Sequence, residues 1–155
     1  MHNAPPLHVA DYLGPAAAAL AFVGLMSLVK EPSRRNYNAI LVAGAAGAYL
    51  SGGLGPWELI YPTLGGAAAY LGLRSYRFIA IGWLMHAGWD LVHHFYGNAI
   101  WPFMPTSSFG CTIFDTVIAL WFLAGAPSVV ELVRRALTRP AETSFPGTVP
   151  RHETP

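Results

Sequence analysis

Apolar residues run along this chain in five long blocks, separated by short polar or proline-bearing breaks. Residues 12–29 form the first block, which stops at the charged turn Lys30, Glu31, Pro32, Ser33, Arg34 and Arg35. At ~1.5 Å rise per residue, a helix of that length comes near to spanning ~30 Å of hydrocarbon. Residues 36–54 form the second, rich in Gly and Ala, with Gly44, Ala48 and Gly52 at four-residue spacing. A ridge of small residues lets helix backbones approach closely. After a glycine-rich turn at 51–56, residues 57–73 form the third block, with Pro62 in its first turns and Gly65, Ala68, Ala69 and Gly72 repeating the small-residue spacing.

The fourth block covers residues 78–96 and ends in His86-Ala87-Gly88-Trp89-Asp90-Leu91-Val92-His93-His94. A connector with Trp101, Pro102, Phe103, Met104 and Pro105 follows, and Thr106, Ser107 and Ser108 are candidate N-caps for the next helix. The fifth block, residues 109–126, contains Cys111 and Asp115 and is interrupted by Pro127. Residues 127–138 differ in kind. Val129, Val130, Leu132, Val133, Ala136 and Leu137 fill one arc of a helical wheel, and Glu131, Arg134, Arg135 and Thr138 fill the other. That pattern predicts an amphipathic helix on a membrane surface, or an extension of the fifth span. The proline-bearing stretch 139–155 reads as a disordered tail.

Composition agrees with a membrane protein. Of 155 residues, 54% are hydrophobic and 11% charged, against roughly 25% charged in soluble domains. Net charge +1 leaves no basic stripe for a nucleic-acid backbone, so no nucleic-acid partner is expected. A single cysteine cannot form an internal disulfide or a cysteine-based zinc cage.

Five spans put connectors on alternate sides. Lys30, Arg34 and Arg35 fall in the first loop, Arg74 and Arg77 in the third, and Arg134, Arg135, Arg139 and Arg151 after the fifth span. Those are all nine lysines and arginines, and they share one side. The positive-inside rule then places the N-terminus outside and the C-terminus in the cytoplasm. The expected architecture is an all-α integral bundle of about five transmembrane helices in the cell membrane. Residues 1–10 form a short outer N-terminus, 11–126 the transmembrane domain, 127–138 the amphipathic or extended helix, and 139–155 a cytoplasmic tail.

The chemistry gathers on the fourth span. At about 100° per residue, His86, Asp90 and His93 lie within about 60° of one another, with His94 at the margin. Gly82 and Gly97 share that face, which is therefore small and polar and suited to helix packing. Asp90 and Asp115 each sit about six residues from the outer end of their spans, roughly 9 Å deep, and are placed to face each other. No lysine or arginine lies at that depth to neutralise them. A carboxylate in hydrocarbon must be paired, protonated or bound to a cation.

Imidazole nitrogen with carboxylate oxygen suits Zn, Fe or Mn. His86, Asp90, His93, His94 and Asp115 are the candidate ligands, Glu58 a further one from the third span, and Asp90 and Asp115 the candidate catalytic acid/base groups. Such a site would serve an enzyme acting on a lipid or small apolar substrate. Two alternatives stand beside it: an ion- or proton-coupled carrier, which with five spans would need a homo-oligomer, and a structural contact holding two helices together. Trp83, Trp89, Trp101 and Trp121 read as lipid-facing or interfacial, and Cys111 as packing.

The run from Trp83 to Trp121, with His86-Ala87-Gly88-Trp89-Asp90, His93-His94, Trp101-Pro102-Phe103-Met104-Pro105-Thr106-Ser107-Ser108-Phe109-Gly110-Cys111 and Asp115, resembles a family of small multi-pass membrane proteins defined only as a domain of unknown function. The resemblance covers most of the chain between the first and fifth spans and implies an integral membrane protein, with no activity attached. The motif differs from the repeated histidine boxes of membrane desaturases and hydroxylases, since there is one histidine-rich stretch.

Overall fold

The computed structural model describes residues 4–48, 50 and 52–138. The expected tail 139–155 and the first three residues lie outside the described residues. Within them the chain is all-α: α1 (Val9–Leu28), α2 (Ser33–Ala46), a 3₁₀ turn (Gly55–Leu59), α3 (Ile60–Gly72), α4 (Tyr76–Tyr96), α5 (Ser107–Leu123) and α6 (Val129–Thr138). No β-strand occurs among the described residues.

Each apolar block contains one helix, but two are shorter than their blocks. α2 has 14 residues and stops at Ala46, because the glycine-rich stretch that follows turns instead of continuing the ladder. α3 has 13 residues, its block opening with the 3₁₀ turn that carries Glu58. At ~1.5 Å per residue these two helices cover about 20 Å each. One described helix, α1, is long and apolar enough to cross a membrane; α5 is apolar but shorter.

α4 is the hub. It packs on α5, α3 and α2, while α1 packs on α5 and α6 on α1. Close approach to α2 depends on Gly82, where an added Cβ would meet Val42 Cγ1 at 2.5 Å. On α3 the predicted small-residue ridge is buried at Gly65, Ala68, Ala69 and Gly72, whereas Gly44 of α2 has open space beside it. Ile79, Ala80, Ile118, Ala119 and Phe122 are fully buried beside Ala19, Ala39 and Val42. They form the apolar core, in the half of the bundle near the start of α4 and the end of α5.

The two ends are tied separately. At one, the Arg35 side chain donates to the Leu73 carbonyl, the Tyr76 hydroxyl to Glu31, and the Ser128 hydroxyl to the Ser27 carbonyl. That end holds every lysine and arginine among the described residues. At the other, the Thr106 hydroxyl donates to Asp11, and the Asn98 amide to the Gly52 carbonyl. Thr106, Ser107 and Ser108 thus stand at the start of α5 without capping it by side chain. The two serine hydroxyls accept the Trp101 and Ile100 amides and fasten the connector instead.

After α5 the chain breaks at Gly125 and Ala126, both with positive φ, before α6 begins at Val129. α6 is therefore a separate helix and not a continuation of α5. All of its residues are exposed.

Candidate metal centre

His86 and Asp90 share a face of α4 one turn apart, and α5 brings Asp115 across to them. His86 Nδ1 lies 3.0 Å from Asp90 Oδ2 and 2.7 Å from Asp115 Oδ2. All three residues are buried, at 4%, 0% and 3% exposure, so water does not screen the two carboxylates from each other. Their ligand atoms lie within 4.8 Å of one another, a spacing that can hold one metal ion.

The other ring nitrogen decides the protonation. His86 Nε2 sits 3.0 Å from the Ala45 carbonyl oxygen. A carbonyl only accepts, so Nε2 carries a proton and donates it. In the neutral ring Nδ1 is then a lone pair, facing two carboxylate oxygens that are acceptors when ionised. The cluster therefore needs a positive charge among these three atoms, either a proton or a metal ion. α2 ends at Ala46 in a tight turn, where the Ala45 carbonyl accepts the Ala48 amide at 3.0 Å and has its second lone pair left for the His86 ring. Early termination of α2 thus fixes the histidine tautomer on α4.

A second buried pair lies two turns along α4. His93 Nε2 is 2.9 Å from Glu58 Oε1, and His93 Nδ1 is 2.9 Å from the Trp89 carbonyl. Again a carbonyl claims one nitrogen as donor and a carboxylate takes the other. Glu58 Oε1 also accepts the Leu54 amide at 3.0 Å, whereas Glu58 Oε2 is buried with no hydrogen-bond partner. Between the two pairs stand Tyr61 and Trp89, stacked on each other at 5.9 Å. Tyr61 packs edge-on to His86 at 5.4 Å, and Trp89 to His93 at 5.4 Å.

Of the five predicted ligands, the structure brings together His86, Asp90 and Asp115. His93 joins Glu58 instead. His94, at the margin of the wheel, turns away to pack its ring 5.3 Å from Phe109 on α5. Trp83 and Trp89 line the polar cluster and do not face outward: Trp83 is 7% exposed and packs 6.0 Å from His86. They flank His86 at i−3 and i+3, so the face that buries the histidine carries them inward. Trp101 is exposed, as expected of an interfacial residue. Cys111 is half-buried, one turn before Asp115, and holds no place in the cluster.

A cavity of about 240 Å³ lies against His93 and His94, lined also by Pro5, Asn98 and Pro105. A larger one of about 450 Å³ is lined by Gly52, Ala48 and Ile100. Both share Asn98, Ala99 and Pro105 and form one vestibule beneath the 98–105 connector.

The chain belongs to DUF6010, a family of unknown function, whose family model matches residues 10–128. That span holds both buried His–carboxylate clusters and ends before α6. No curated protein and no solved structure matches the chain.

Proposed function

We propose that this protein is a multi-pass membrane protein that binds one divalent metal ion, Zn, Fe or Mn, through His86 Nδ1, Asp90 and Asp115. One observation carries the metal reading: the Ala45 carbonyl holds the proton on His86 Nε2 and turns the Nδ1 lone pair toward two buried carboxylates. A backbone carbonyl on the far nitrogen is the arrangement that orients metal-bound histidines and raises their basicity. A divalent ion would neutralise both carboxylates.

Three protein ligands leave coordination positions open, the pattern of catalytic rather than structural sites. Such an ion activates water or polarises an oxygen of a bound substrate. In this reading Asp90 and Asp115, through the carboxylate oxygens not held by the ion, would take up and return the proton that the chemistry moves, and the substrate is a lipid or small apolar molecule.

Membrane embedding is supported by the inverted distribution of polarity. Leu13, Leu20, Leu25, Leu28, Ile40 and Leu64 are each at least half exposed, while Asn38, Asp90, His93 and Ser108 lie inside at 0–1%. Soluble monomers rarely expose apolar patches beyond a few hundred Å². The short α2 and α3 fit a bilayer as well. Irregular backbone is tolerated at membrane depth where it lines a cavity, and Ala48 and Gly52, after the end of α2, border the vestibule.

Metal analysis of detergent-purified protein, reconstituted with Zn²⁺, Mn²⁺ or Fe²⁺, tests the reading. Wild type should retain one ion per chain and Asp90→Asn none, with helical content unchanged. Metal-free wild type would sink it.

A second reading is favoured by the same short distances, since one shared proton also satisfies the triad. Wild type would then be metal-free, and Asp90→Asn would remove a pH-dependent flux in liposomes. In a purely structural contact, the substitution would change stability by about 1 kcal/mol or less.

A further inference from the structure

The buried triad has different surroundings toward the two ends of the bundle. On the side of the basic end it rests on Ile79, Ala80, Ile118, Ala119 and Phe122, each at 0% exposure. These residues offer no polar atom to a passing ion, and the charged side chains beyond them are mostly cationic. On the other side the picture reverses. The vestibule reaches His93, whose pair with Glu58 stands seven residues from His86, about 10 Å along the α4 axis. Among the described residues of that end, the charged groups are Asp11 and Glu58, with His8, His93 and His94 beside them and no lysine or arginine. Fields of one sign in a cleft with apolar walls concentrate counter-ions.

Glu58 carries the second observation. It is 97% buried by its 3% exposure, yet Oε2 has no hydrogen-bond partner. Leaving such an atom unpaired is costly, so it marks a missing partner. Its other oxygen is held by His93 and the Leu54 amide, which fixes the carboxylate behind His93 and Gly52, two residues that line the vestibule. Beyond it, the stacked Tyr61 and Trp89 rings border the step to His86, and aromatic faces attract cations.

We propose that the vestibule is the path by which a divalent cation reaches the triad, and that Glu58 is the first carboxylate to bind it on the way. The inference rests on the metal reading of the triad and adds a direction of loading and a transit site. It separates two roles in kinetics: the triad sets how much metal is held, and Glu58 sets how fast it arrives.

Full-length protein in detergent is stripped with a chelator, then mixed with Zn²⁺ alone. Aliquots are desalted over time and their zinc measured. Glu58→Gln, which keeps volume and a hydrogen bond to His93, should reach the wild-type end point but at least tenfold more slowly. Ala99→Trp, in the connector that lines both cavities, should slow uptake in the same way with Glu58 intact, and covers the case in which Glu58→Gln does not fold. Wild-type rates in either folded variant would overturn the path. Wild type that takes up no zinc would sink the metal reading itself, and this inference with it. Slow uptake in Glu58→Gln together with a lost end point would make Glu58 a permanent ligand, which also overturns the transit role.

Discussion

The α-carbon of Gly52 lies so close to the His93 ring that a Cβ there would stand 2.5 Å from Nε2 and 2.8 Å from Glu58 Oε1. No rotamer change of this buried, hydrogen-bonded pair relieves such contacts. Gly52→Ala should therefore push the 52–54 turn off the pair, at a cost of about 1–3 kcal/mol in thermal or denaturant unfolding. An unchanged melting temperature would show that the pair moves freely, contrary to its burial.

Gly82 and Val42 meet in the same way deeper in the bundle, at the crossing of α2 and α4. Gly82→Ala should destabilise by about 1–3 kcal/mol through overpacking. Because the clash is with one methyl group, Val42→Ala in the same chain should return part of that loss. A double-mutant cycle checks this: a coupling energy near zero would place the cost elsewhere.

Acid should loosen the turn between α1 and α2. Burial pushes Glu31 upward, but hydrogen bonds from the Tyr76 hydroxyl and the Arg34 guanidinium outweigh it and hold the carboxyl below its ordinary value of 4.5. A depressed folded value means that this contribution is complete above the unfolded value. It fades as pH falls through the folded one. Melting temperature should accordingly drop below about pH 4.5 in wild type, and Glu31→Gln should flatten that part of the profile. Parallel profiles for the two proteins would remove Glu31 from the acid response.

In the proposed membrane arrangement, orientation follows from charge. With all nine lysines and arginines assigned to one side, reporters fused after Gly55 and Ser108 should report the outside, and those after Arg35 and Arg77 the cytoplasm. A cytoplasmic signal from the Gly55 fusion would refute the five-span topology.

Much of the architecture was legible because helix periodicity is local. Five apolar blocks became five helices, and equal depth plus missing counter-charge were enough to bring Asp90 to Asp115. What escaped depends on where the helices stop and turn. The end of α2 at Ala46 sets the Ala45 carbonyl, which also accepts the Ala48 amide, against the His86 ring, and a backbone acceptor leaves no mark in a side-chain pattern. His93 lies on the same wheel arc as His86, but the 3₁₀ turn delivers Glu58 to it and so divides one expected cluster into two. Residue type alone points Trp83 and Trp89 outward, whereas their place on the wheel beside His86 carries them inward.

The dry layer of Ile79, Ile118 and Phe122 also has an electrical meaning in a bilayer. A voltage falls across the least polarisable part of a membrane protein, and here that part lies wholly on the basic side of the triad. Moving one charge through a full 100 mV is worth about 2.3 kcal/mol. In the proposed bilayer setting, an ion reaching His86 through the vestibule would cross little of that drop. Occupancy of the centre should then follow the composition of the outer medium and be nearly indifferent to membrane potential.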